Sequence, residues 1–325
     1  MHKMEGLDKI DYKLLYALLN NSKISFTKLG RAARISRENA AYRLSRFVKS
    51  GLVKSFNAVI DVDSLGFKQY AVFIQLAKVD KNKEAEILGI LKNNQNISWI
   101  GVLAGKWSLT FDFYAKNQVE LSQNLNELLR SFGSNVGEYV LLNLTDKEYF
   151  LNKSFNEKPI FAQVKHSKSL KFDNTDLKLL KLVNANSRIT YSELSKNLNL
   201  TANAIKKRTK QLESKGIIQG YTLCVDPKKM SFEWYGIQLK LLKFDEKSIK
   251  DLIKFFREHP KIIFYYKYIG GAWDFDLGIL VKNSNELREF INELRTKFIE
   301  TIKLNDLFLI LEEITNNTLP PAIFK

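Results

Sequence analysis

Leu7, Ile10, Leu14, Leu15 and Leu18 recur at three- and four-residue steps, the period of a helix that buries one face. Two more helical stretches follow across short polar turns: "SFTKLGRAAR" at 25–34, then the segment from Arg37 onward. Three helices with a tight second connection make a helix-turn-helix arrangement. The pattern then changes. "GLVKSFNAVID" at 51–61 alternates or runs apolar and reads as a wing strand or short hairpin. Beyond it the periodicity predicts a strand at 68–79, a helix at 82–93, strands at 97–104 and 108–115, a helix at 118–132 and a strand at 136–149. Strand, helix, strand, strand, helix, strand is the order of a ferredoxin-like sandwich, an antiparallel sheet with two helices on one face.

Shifting the chain by 165 positions lays the same pattern over itself. Asp8, Asp11, Lys13, Leu14, Leu15, Asn21, Ser22, Ile24 and Leu29 meet identical residues at Asp173, Asp176, Lys178, Leu179, Leu180, Asn186, Ser187, Ile189 and Leu194. Farther on, "AGKWSLTFDFYAKN" at 104–117 meets "GGAWDFDLGILVKN" at 270–283 with one residue of slippage. A period this long signals a repeated domain pair, not a solenoid. The second sandwich is expected at 233–243, 246–258, 262–269, 274–281, 284–297 and 303–315. The fold class is therefore α+β, with two copies of a winged helix-turn-helix domain followed by a βαββαβ sandwich. The boundaries fall at 1–57 and 58–151 for the first unit and at 171–225 and 226–318 for the second. A polar, proline-interrupted linker at 152–170 separates them.

Composition narrows the chemistry. Cys224 is the only cysteine, so no intrachain disulfide or CxxC site can form, and His2, His166 and His259 are too scattered to suggest a metal centre or a nucleophilic triad. No cofactor or metal is expected. No apolar run approaches the length of a bilayer span and no signal-peptide core stands at the start, so a soluble, cytoplasmic, non-membrane protein is expected. The net charge is +16, of which residues 5–57 carry +7 and residues 171–225 carry +6. An excess concentrated in the two helical segments marks two surfaces that face a polyanion.

A helix-turn-helix preceded by "LDKIDYKLL" and followed by "SGLVKSF", then a βαββαβ module whose central hairpin carries "GKW" or "GAWD", resembles the Lrp/AsnC feast-or-famine transcription regulators. The likeness covers nearly the whole chain, twice. The family's opening L-D-x-x-D-x-x-I/L-L stands here as Leu7, Asp8, Asp11, Leu14, Leu15 and as Phe172, Asp173, Asp176, Leu179, Leu180. The glycine and apolar pair that end the recognition helix stand as Gly51-Leu52-Val53 and Gly216-Ile217-Ile218. The resemblance implies a regulator of transcription, not an enzyme, with a ligand-binding (RAM) module in each unit. Family members pair through these modules. A tandem chain is expected to make the pair internally, with further homo-oligomers possible.

The third helix of each unit is the candidate DNA reader. With Ile205 inward, Thr209 and Leu212 fall on its side while Asn203, Lys206, Lys207 and Lys210 cluster opposite. Thr201 is placed as the N-cap, and residues just after the cap enter the major groove in helix-turn-helix docking. Asn203 suits adenine, and Lys206, Lys207, Arg208 and Lys210 suit phosphates or guanine. In the first unit Ala40, Leu44 and Phe47 point inward. Ser36, Arg37, Glu38, Asn39, Tyr42, Arg43 and Arg46 are the corresponding candidates. Double-stranded DNA is the expected partner, read by two unlike helices. By resemblance, a small effector such as an amino acid would bind near the central hairpins, at Gly105 and Trp107 or at Gly271, Trp273 and Asp274, with Asp274 offering an anion to an ammonium group. "GVLAGKWS" at 101–108 lacks the spacing and the hydroxyl of a phosphate loop. Two other readings remain: a tetrapyrrole enzyme similar to the sirohaem decarboxylases, which resemble this family, and a non-specific nucleoid protein.

Overall fold

A computed structural model describes residues 6–150, 172–316 and 319–324; the expected linker at 152–170 lies outside the described residues. Three helices open the first unit: α1 (Lys9–Asn20), α2 (Phe26–Ala33) and α3 (Arg37–Lys49). Asp8 starts α1 by accepting the N–H groups of Ile10 and Asp11 at 2.8 and 2.7 Å, while the Asp11 carboxylate accepts the N–H of Asp8 at 3.2 Å. This reciprocal capping box satisfies donors that a helix end otherwise leaves free. Strand β1 (Val53–Ile60) follows, then β2 (Lys68–Leu76), α4 (Lys81–Asn93), β3 (Ile97–Ala104), β4 (Leu109–Ala115), α5 (Gln118–Ser131) and β5 (Val136–Tyr149). The second unit repeats the order as α6 (Asn174–Ala185), α7 (Tyr191–Leu198), α8 (Ala202–Ser214), β6 (Ile218–Val225), β7 (Glu233–Leu241), α9 (Glu246–Glu258), β8 (Ile262–Ile269), β9 (Phe275–Val281), α10 (Ser284–Lys297) and β10 (Ile302–Asn316). Asp173 and Asp176 build the same capping box on α6.

The wings depart from a local hairpin. Each is one strand, and β1 pairs antiparallel with β6 of the other unit. Asn57 lies opposite Thr222, its own counterpart at a shift of 165, so a pseudo-twofold axis crosses the ribbon there. Each strand also serves the other unit's core. Leu223 is buried among Leu14, Leu18, Leu44 and Phe47 of the first unit, and Ala58 and Ile60 are buried among Leu179, Leu180, Ile205 and Leu212 of the second. A boundary at 57/58 therefore cuts through β1.

The two sheets do not remain separate sandwiches. They close into one eight-stranded antiparallel barrel in the order β10-β3-β4-β2-β5-β8-β9-β7, with unit-to-unit seams at β5/β8 and β10/β3. Closure leaves the barrel strands without a free edge. Within each half the order is that of the expected ferredoxin-like module, with helices outside: α4 and α5 cover one half, α9 and α10 the other. Alternation splits the side chains between layers. On β4, Phe111 and Phe113 join the core under α4 and α5. The opposite faces of the strands fill the barrel with Phe73, Phe308, Leu142 and Tyr268, joined by Trp107 and Trp273 from the two central hairpin loops. No described helix is long and apolar enough to cross a membrane.

Candidate nucleic-acid interface

Local chemistry sets the recognition helices. The Ser36 Oγ accepts the N–H of Asn39 at 3.1 Å, and the Thr201 Oγ1 accepts that of Ala204 at 3.2 Å, so both expected caps form. Each preceding turn ends α2 or α7 on a left-handed residue, Arg34 at φ 58° and Asn199 at φ 51°. At Gly30 the turn presses so close that an added Cβ would lie 2.7 Å from the Ile35 carbonyl oxygen. The counterpart Ser195 meets the same demand differently, donating its hydroxyl to the Leu200 carbonyl.

The inward faces lie where their periodicity puts them. Ala40, Leu44 and Phe47 are buried on α3, and Ile205, Thr209 and Leu212 on α8. The buried Thr209 hydroxyl is satisfied by the Ile205 carbonyl at 2.9 Å. Outward, Thr201, Asn203, Lys206, Lys207 and Lys210 are all exposed. Among the described residues none of these three lysines has a carboxylate within ion-pair distance. Of the first unit's candidates, the N-cap Ser36 and Arg37, Glu38, Asn39, Tyr42 and Arg46 on α3 are exposed, with Tyr42 69% exposed.

Three expected readers have another task. Arg43 Nη1 donates to Asp8 and Asp11, both at 2.7 Å, its Nε donates to Asn39 Oδ1 at 3.2 Å, and Arg46 Nη2 reaches Asp11 at 2.6 Å. Arg208 Nη1 donates likewise to Asp173 and Asp176, both at 2.8 Å. The guanidinium of Arg43 beside Asp8 holds that carboxyl below its usual range; at Asp173 the backbone N–H of Asp176 and then Arg208 do the same. These arginines thus lock the third helix of each unit to the start of the first, a structural task in addition to the DNA contact expected of them.

At the expected effector loops the tryptophans are buried. Trp107 and Trp273 are each 1% exposed and meet at the barrel centre, ring centroids 6.0 Å apart. Phe73 packs on both, at 6.0 and 5.2 Å, and on Phe308 at 5.6 Å. Gly105 does take a positive φ, 147°, but in the second hairpin Gly270 takes it, at 75°. Gly271 is required instead by Leu142, whose Cδ2 would stand 2.1 Å from an added Cβ. The Asp274 carboxylate accepts the N–H of Leu241 at 2.8 Å and faces Lys240 Nζ at 3.3 Å, so its charge is already answered.

One pair of functional side chains escaped the sequence reading. Lys23 and Arg188 occupy the same place in the repeat, after Asn-Ser. Lys23 Nζ lies over the rings of Tyr191 and Tyr221 at 4.8 and 4.7 Å, and the Arg188 guanidinium over Phe26 and Phe56 at 4.7 and 5.7 Å. Arg188 Nη1 also donates to the Ser22 and Ile24 carbonyls at 2.6 and 3.1 Å. Between them, on the pseudo-axis, the buried hydroxyls of Ser22 and Ser187 meet at 2.6 Å. Each unit inserts a cation between two aromatic rings of the other, which holds both recognition helices in one body. The repeated Asn-Ser-Lys/Arg-Ile was the available signal.

Comparison with known proteins agrees with this geometry. A family model for winged helix-turn-helix DNA-binding domains matches residues 7–54 and again 172–219. The glutamate uptake regulatory protein of Zymomonas mobilis subsp. mobilis is 27% identical over 157 residues, 46% of this chain and 91% of that protein. The HTH-type transcriptional regulator LrpB of Bacillus subtilis is 28% identical over 125 residues, 38% of this chain and 82% of that protein. Among solved structures, the siroheme decarboxylase NirDL aligns over 96% of this chain and 94% of its own, with a TM-score of 0.66 and 13% identity, a likeness of fold alone. The chain thus carries two segments that match the winged helix-turn-helix DNA-binding model, each followed by one half of a shared antiparallel barrel, and it is similar in sequence to regulators such as LrpB.

Proposed function

We propose that this protein is a sequence-specific DNA-binding regulator of transcription whose two readers, α3 and α8, are unlike and recognise an asymmetric site. The observation that carries this reading is the capped α8 with Asn203, Lys206, Lys207 and Lys210 exposed and free of carboxylate partners among the described residues. Opposed to it across the pseudo-axis, α3 offers Arg37, Glu38, Asn39 and Tyr42. The relative named as an HTH-type transcriptional regulator supports the same reading. Charge makes α8 the stronger phosphate binder, while α3, with a carboxylate and an aromatic ring on its outer face, discriminates more by base edge and shape. A small effector at the central hairpins would meet buried tryptophans and an Asp274 already paired with Lys240.

The tetrapyrrole reading has the whole-chain fold likeness behind it. Against it, the barrel centre is filled by Phe73, Trp107, Trp273 and Phe308. His259 lies in the outer helical layer, its ring tilted against Phe255 and edge-on to Phe290 at centroid distances of 5.1 and 4.8 Å. One experiment separates the readings. Duplexes recovered by the purified protein from a random pool should converge on a sequence with two unlike halves, and competition with bulk DNA should leave that binding intact. Recovery without convergence points to a nucleoid protein, and two identical inverted halves contradict the asymmetry. A visible absorbance band on incubation with iron uroporphyrin, without duplex recovery, points to the enzyme.

A further inference from the structure

Where the two helical units meet, a concave surface of about 430 Å³ opens between the start of α2 and the start of α7. Three cations line it, Lys23, Arg37 and Arg188, and no Asp or Glu does. The partners of the two inner cations are neutral: aromatic rings for Lys23, rings and backbone carbonyls for Arg188. Arg37 is exposed. The nearest acid to Lys23 in effect is Glu213, which already accepts the Tyr221 hydroxyl at 2.6 Å and stands outside the lining. A protein that half-buries cations usually answers them with carboxylates. Here the Lys23 ammonium is buried behind the wall without a hydrogen-bond partner among the described residues, Arg188 is half-buried and Arg37 is exposed, so three cations unanswered by a lining carboxylate direct positive potential into the groove.

The place of this surface selects its partner. Arg37 is the first residue of α3, so the groove opens beside the leading end of a reading helix. The Ser22–Ser187 contact puts it at the pseudo-axis, between the two readers. A duplex engaging both α3 and α8 must cross this point with the segment that separates its half-sites. We infer that the groove is a third DNA contact, which takes backbone phosphates of that spacer and sets the distance between the half-sites. The contact is lopsided, because the counterpart of Arg37 in the second unit is Ala202. The inference rests on the DNA-binding reading above and adds a site to it.

Phosphate ethylation interference on a duplex recovered from the random pool tests this with the unaltered full-length protein. Ethylation of spacer phosphates nearer the α3 half should block binding. A second arm uses Ser25→Asp, which keeps a favoured N-cap on α2 but puts an anion at the rim of the groove. Affinity should fall about tenfold at low salt, and the slope of log affinity against log salt should shrink by about 0.9 for each phosphate that the groove no longer neutralises. Unhindered binding to duplexes ethylated across the spacer overturns the groove contact and leaves the recognition helices standing, whatever the variant does. Failure to recover any duplex overturns the DNA reading itself.

Discussion

Lys207 and Arg208 are neighbours of like charge on α8, and their neighbourhoods give them opposite tasks. Arg208 holds Asp173 and Asp176, while Lys207 projects outward, free of carboxylates among the described residues. Arg208→Ala should lower stability by about 1–2 kcal/mol, the scale of hydrogen bonds to charged groups at a part-exposed site. Lys207→Ala should stay within about 0.5 kcal/mol of the parent while weakening DNA binding. Denaturant unfolding and DNA titration on the same two variants check this. If Lys207→Ala destabilises and Arg208→Ala does not, the assignment is reversed. The partners of this clamp were all visible in the repeat, as Asp8/Asp173, Asp11/Asp176 and Arg43/Arg208. A linear reading could not join them, because residues 32 and 35 apart meet only once the three helices pack. The helix faces were legible for the converse reason: a 3.6-residue period is local, and it identified Ile205, Thr209 and Leu212 without any tertiary information.

At the scale of elements, β1 and β6 show where such reading stops. Alternation marked both as strands, yet a strand's pattern does not name the neighbour it will pair with. Here each pairs with its own copy and lends side chains across the axis. Leu223 is the clearest case, 1% exposed in the core of the first unit although it belongs to the second. Leu223→Ala should cost about 2–5 kcal/mol, as for other buried leucines. Amide exchange should quicken in α1 and α3 at least as much as in α6 and α8. Loss of protection confined to the second unit's helices would show that the exchanged packing does not hold the first unit together. The hairpin glycines carry a related lesson. A turn explanation suffices for Gly105, but Gly271 is dictated by Leu142, a residue of the other unit.

The whole molecule differs from two copies of its parts because the barrel closes. Asp276 faces the interior, 5% exposed, with its Oδ2 accepting the Tyr268 hydroxyl at 2.8 Å. Burial pushes its carboxyl up from the ordinary 3.8 to about 8. Between those values the folded chain holds a proton that the unfolded chain releases, so stability falls as pH rises from about 4 through about 8 and levels off above. Asp276→Asn keeps the shape without the charge. It should flatten the profile across that window and be the more stable form at pH 8, by an amount on the order of a few kcal/mol. Parallel pH profiles of the two proteins would count against a neutral Asp276 in the barrel. Strand order within each half was legible from the element sequence; the seams at β5/β8 and β10/β3 were not, since pairing within one chain and between two chains buries the same residues. Placing both halves in one polypeptide has an outcome for how such a protein can change. In a self-pairing chain every substitution in the reader appears on both sides at once. Here α3 and α8 are encoded separately, so, on the proposed reading, one arm of a DNA site could drift, or be re-engineered, while the other keeps its original address.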